Sequence, residues 1–396
     1  MAGRNRVLCL LVFSLLAAGC GENKSPSPKS AAPSNAAAKK AADLDENSDF
    51  VTGIQTEPFG EVEGAEITRY LLTNKNGVKV SLINYGATIH SVEVPDKSGK
   101  FANIVLGYPN IEGYLGDKSY FGGIVGRYAG RIGQGKFKLA DKEYTLAVND
   151  GPNHLHGGKK GFSMVPWVAK ALPSEPGKGA AVEMTYQSKD GEENYPGTLK
   201  VVVVYTLTDN NELKIDYSAT TDKTTVLNLT NHAYWNLAGA GARDILDHSL
   251  MLKCSKYLPG DDHLLVTGEI KEVKGSPFDF TTATKIGAHI GDVKGGYDLC
   301  YVVDNANSGS PVSMAKVHDP QSGRVMEIST TEPGVQFYTG NFLDGGPGSG
   351  GFAKHGAFCL ECQHFPDSPN RPDFPSTVLE PGKVYTQTTI HKFSVE

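Results

Sequence analysis

The chain has 396 residues, 39% of them hydrophobic, 21% charged and 9% aromatic, with 46 Gly, 22 Pro and a formal net charge of -6, which excludes a fibrous or wholly disordered protein. With Lys+Arg 38 against Asp+Glu 44 and no long basic run, it offers a phosphate backbone no electrostatic attraction, so nucleic acid is not expected as a partner. At roughly 150 residues per domain the length allows two or three domains, yet a large all-β domain runs past 200 residues as one unit.

At the N-terminus, Arg4 and Arg6 precede an apolar run from Val7 to Leu16, then Ala17-Ala18-Gly19 and Cys20. This pattern predicts a secretory signal peptide, too short to span a bilayer permanently. Leu16-Ala17-Ala18-Gly19-Cys20 resembles a bacterial lipoprotein signal, which implies that residues 1–19 leave and that Cys20 becomes the lipidated first residue. The protein is then exported and membrane-anchored, facing the periplasm from the outer membrane where the source has two membranes. An ordinary cleaved signal with a chance cysteine is the alternative. Residues 20–49 are mostly Ser, Pro, Ala, Lys and Asn, cannot bury enough surface to offset their ordering entropy, and are expected to form a flexible tether.

Residues 50–396 carry the punctuation of a β protein. Val78 to Leu82, Val182 to Tyr186 and Leu213 to Ala219 alternate apolar and polar with period two, as half-buried strands do. Leu199 to Leu207 is a Val-rich run, expected to be covered on both faces. Asn74 to Gly77, Pro95 to Gly99, Asp209-Asn210-Asn211 and Asp319 to Gly323 read as turns between strands. Long amphipathic helical patterns are nearly absent. An all-β chain of this density without repeats or an internal linker predicts one large sandwich.

Four cysteines fall in this region: Cys254, Cys300, Cys359 and Cys362. Cys359-Leu360-Glu361-Cys362 has redox or zinc spacing, but residues three apart on a strand point to opposite faces, so the two sulfurs diverge. Buried free thiols are expected, with a disulfide through Cys254 or Cys300 left open by export.

Chemistry-bearing groups then appear in chain order. Asn149 to Gly158 is a turn-rich loop with His154 and His156 beside a glycine pair. His-x-His suits a metal, but zinc needs a third and usually a fourth ligand. In Leu229 to Leu237, His232 lies among Asn, Tyr and Trp, and taken alone fits a satisfied core histidine as well as a catalytic one. Pro333 to Asn341 joins Gln336 to aromatic surface. Glu361 sits inside an apolar strand, where a carboxylate is costly without a partner. A structural ion pair with Arg127 or Arg131 is the other reading of Glu361.

Taken together, Tyr120 to Arg127, Asn153 to Gly158, Tyr195-Pro196-Gly197, Asn228 to His232, Gly296-Tyr297-Asp298, Pro333 to Asp344 and Phe358 to Gln363 resemble the aldose 1-epimerase (galactose mutarotase) family, from about Phe59 to Val395. The resemblance implies a large β-sandwich (a supersandwich) acting on a free aldohexose such as glucose or galactose, with no cofactor and no metal. Carried over by motif, Glu361 is the general base and His232 the general acid, while Arg127, His156, Asp298 and Gln336 contact the sugar. Asn194 and the Gly345 to Gly351 loop depart from the family pattern and bear on loop shape and sugar preference. Two other classes stay open. A non-catalytic sugar-binding protein would use Trp235, Tyr338 and Gln336. A glycosidase would need two carboxylates roughly 5–5.5 or 6.5–9.5 Å apart, for which Asp298 and Glu361 are the candidates.

Overall fold

The computed structural model describes residues 52–173, 179–306 and 309–396. The signal peptide, Cys20 and the tether lie outside the described residues. Strands form where the alternation predicted them. Leu213, Ile215, Tyr217 and Ala219 are buried, while Lys214, Asp216 and Ser218 between them are partly exposed. Leu199–Leu207 differs from expectation: it also alternates, with Val202 and Val204 partly exposed, because the second face of its sheet is only partly covered. The described residues contain one α-helix, Ile111–Leu115. No described helix is long and apolar enough to cross a membrane.

Three antiparallel sheets carry the architecture. The largest has nine strands, in the order Val168–Ala171, Ala180–Ser188, Leu199–Leu207, Glu212–Thr221, Tyr385–Val395, Arg324–Thr330, Val312–His318, Ser249–Leu252 and Thr284–Lys285. Gly53–Val62 to Phe101–Asn103 form a five-stranded meander. The third sheet runs Lys271–Glu272, Lys256–Leu258, Asp298–Val302, Gly334–Tyr338, Cys359–Gln363. One hydrophobic cluster draws on all three, with Leu72 and Val80 from the meander, Val203 and Ile215 from the largest sheet, and Phe337 and Leu360 from the third. The resulting fold is a mostly-β sandwich.

The turn residues act through their side chains. Asn74 Oδ1 accepts the N–H of Asn76 and of Val78. Asp96 Oδ1 accepts those of Ser98 and Lys100. Asp319 holds Gln321 and Ser322 in the same way.

Candidate active site

The third sheet builds one wall of the site. In the register of its neighbouring strands, Cys300 opposes Gln336, and Gln336 opposes Glu361. Period-two alternation therefore turns Asp298, Gln336, Tyr338 and Glu361 toward a single cavity of about 540 Å³. Gln336 Nε2 donates to Asp298 Oδ1 at 2.7 Å, leaving Gln336 Oε1 without a partner.

Short strands and glycines place the histidines opposite. Thr230–Asn231 pairs with Ile124–Val125, after which His232 N–H donates to Gly123 O at 2.9 Å and Gly122 N–H to His232 O at 3.0 Å. His154–Leu155 pairs with Arg131–Ile132, and His156 follows in the left-handed region at φ 52. Gly157 is needed there: at φ +84, a Cβ would lie 1.8 Å from Gly126 O. Gly130 N–H donates to His156 Nδ1 at 3.2 Å, so the neutral ring carries its proton on Nε2.

His232 Nε2 lies 3.6 Å from Glu361 Oε1. Both side chains are buried, and Glu361 Oε2 has no partner. Burial first, then the charge of Asp298, raises the Glu361 carboxyl well above its ordinary range, against a lowering by Arg131. Burial lowers His232 to about 4. His156 is held well below the usual imidazole value by burial, then by His232 and Arg131. Asp298 is raised by burial, with Arg131 and Gln336 opposing. Burial thus pushes the carboxyl and both imidazoles toward their neutral forms.

His154 and His156 do not act as a metal pair. His154 Nδ1–H donates to Ala147 O at 2.7 Å, and its Nε2 accepts the Tyr195 hydroxyl at 2.6 Å. Among the described residues, the donor set that can face one ion is His156, His232 and Glu361, all within 4.8 Å of one another. Donors of a tetrahedral zinc with 2.0–2.1 Å bonds sit roughly 3.4 Å apart, so these side chains would have to draw in.

The structure corrects the placement of Arg127. Its guanidinium is buried away from the cavity, donating to Pro196 O at 2.8 Å and Gly197 O at 2.9 Å, with further bonds to Ser188, Lys189 and Thr225. It also packs over the Tyr195 ring at 5.6 Å. Arg131, four residues on, lines the cavity instead, its Nε donating to Asp150 Oδ2 at 2.7 Å. The pairing of Arg131–Ile132 with the histidine loop was the missed signal. Trp235 is likewise removed from the cavity, packed on His391 and Phe393. Tyr120 and Tyr234 line it unforeseen, each stacked on His232, at 5.7 Å and 5.1 Å between ring centres. Cys254, Cys300, Cys359 and Cys362 are free and buried.

A mostly-β sandwich holding a buried carboxyl against an imidazole at one cavity has the frame of an acid–base enzyme. Residues 68–392 match the family model of aldose 1-epimerase. The galactose mutarotase of Bos taurus is 45% identical over 342 residues, covering 85% of this chain and 97% of that protein. The aldose 1-epimerase of Escherichia coli K12 is 34% identical over 335 residues, covering 82% and 94%. The crystal structure of galactose 1-epimerase from Lactobacillus acidophilus superposes with a TM-score of 0.77 at 27% identity, covering 87% of this chain and 99% of that one. The chain belongs to the aldose 1-epimerase family.

Proposed function

We propose that the chain is a mutarotase, interconverting the α and β anomers of free aldohexoses such as glucose and galactose. One observation carries the site assignment: a buried carboxyl with an unpartnered oxygen, Glu361 Oε2, beside His232 Nε2 in the cavity. Glu361 takes the proton of the C1 hydroxyl as the C1 carbonyl forms. The bond between C1 and the ring oxygen breaks, and its electron pair is protonated by His232. Rotation about C1–C2 presents the other carbonyl face, and reclosure reverses both transfers. Each placed proton transfer contributes ~10²–10⁴-fold. Sugar hydroxyls donating to Glu361 Oε2 favour its ionised form and move the shared proton to His232. Asp298, Gln336 and His156, with Arg131 in the part first given to Arg127, hold the ring through directional hydrogen bonds.

Polarimetry of fresh α-glucose and α-galactose, run beside a chromogenic glycoside, tests the reading. Accelerated anomerisation without glycoside cleavage supports it; cleavage favours a glycosidase, and binding without either activity favours a sugar-binding protein.

Export and anchoring through lipid on Cys20 belong to the same proposal, supported by the Leu16 to Cys20 pattern. Stable anchoring takes more than one acyl chain, as bacterial lipoprotein processing supplies. Cys20→Ser should move the protein from membrane to soluble fractions, and a mutant retained in the membrane contradicts the anchor.

A further inference from the structure

We infer that the Cys359 thiol fixes the tautomer of His232, accepting a hydrogen bond from Nδ1–H so that Nε2 alone exchanges the proton of the reaction. The inference rests on the assignment of His232 as general acid. Cys359 Sγ lies 3.6 Å from His232 Nδ1, and Glu361 Oε1 lies 3.6 Å from Nε2 on the opposite edge of the ring. Both partners come from Cys359–Gln363, two residues apart and so on one face of the strand. One strand thus brackets the imidazole along its long axis.

The ring has little freedom to turn out of this bracket. Tyr234 stacks on it with an interplanar angle of 17° and Tyr120 with 24°, and the His232 backbone is fixed at both N–H and C=O. In the ion pair, His232 carries protons on both nitrogens. After ring opening it has lost one, and the neutral ring must keep the other on Nδ1 if Nε2 is to take the proton back. A partner at Nδ1 that accepts a hydrogen bond in both states therefore saves the ring a tautomer change in every half-reaction.

The chemistry of that partner matters. A carboxylate at Nδ1 would hold the imidazolium charge and weaken it as an acid. The thiol is fully buried, and burial, then Glu361 and Asp298, keep it neutral by raising it well above its ordinary value. It orients the ring without adding charge. Cys359 is a positioning residue: it acts on the sugar only through His232.

The test combines histidine ¹⁵N NMR with steady-state kinetics on the purified protein, the His232 signals being identified by their loss in His232→Gln. The neutral ring is expected to carry its proton on Nδ1. Cys359→Ala should lower kcat about 10-fold with KM within about 2-fold and populate the Nε2–H tautomer, and Cys359→Ser, which keeps an acceptor, should recover most of the loss. Loss of core packing alone would lower the melting temperature of the Ala variant without moving the tautomer. A parent protein with neutral His232 protonated on Nε2, or a folded Cys359→Ala with parental kcat, overturns the inference while leaving the functional reading intact. Absence of mutarotation in the parent overturns the functional reading and this role with it.

Discussion

Glu361 brings a carboxyl into a cavity that leaves one of its oxygens unpartnered, and the cost of that burial sets how the site titrates. His232 ionises at about 4, whereas Glu361 is raised well above the carboxylate range. Below the first value the pair holds two protons, between the two values one, and above the Glu361 value none. Ring opening needs one shared proton, so kcat/KM should fall as pH drops through about 4, and fall again only as pH rises through the raised carboxyl value. A profile with no acid limb near 4 would show that the pair titrates otherwise. In the proposed reaction Glu361 and His232 make both transfers by themselves, so dialysis against a chelator should leave the mutarotation rate unchanged. Activity lost on chelation and restored by zinc would assign the cluster of His156, His232 and Glu361 to a metal instead.

At the level of elements, what was legible depended on regular periodicity. Asp298, Gln336 and Glu361 lie on adjacent strands; Glu361 stood out as a carboxylate inside an apolar strand, whereas Asp298 and Gln336 were placed at the sugar only through the family resemblance. Arg127 and Arg131 lie where two-residue strands alternate with tight turns. No period survives there, and facing is set by pairings with residues distant in sequence. The two arginines should therefore separate in experiment. Arg127→Ala removes the donor to Pro196 O and Gly197 O from a buried site and should cost ~3 kcal/mol or more of stability. Chemical denaturation would measure it, and a raised KM in a protein of parental stability would return Arg127 to the sugar. Arg131→Ala should keep the fold and raise KM, since lost ground-state contacts appear there.

For the whole molecule, strand density and turn chemistry made an all-β sandwich legible, whereas the order of strands within the sheets was not. Tyr385–Val395 lies between Glu212–Thr221 and Arg324–Thr330 at the centre of the largest sheet, a neighbourhood that local sequence does not encode. The covering of Leu199–Leu207 was misread for the same reason: a Val-rich run states that a strand is apolar, not how much of the molecule lies over it. Deleting residues 385–396 should leave two unpaired edges in mid-sheet and abolish soluble expression, which fractionation and circular dichroism would show.

The central claim is that Glu361 and His232 open and reclose a free sugar ring at this cavity. Its most direct test is polarimetric decay of fresh α-galactose and α-glucose with the parent protein and with Glu361→Gln, which keeps shape and hydrogen-bonding capacity but removes the base. The account predicts fast anomerisation by the parent and at least ~10²-fold lower turnover by the folded variant. A folded Glu361→Gln that anomerises both sugars within a few-fold of the parent would contradict it.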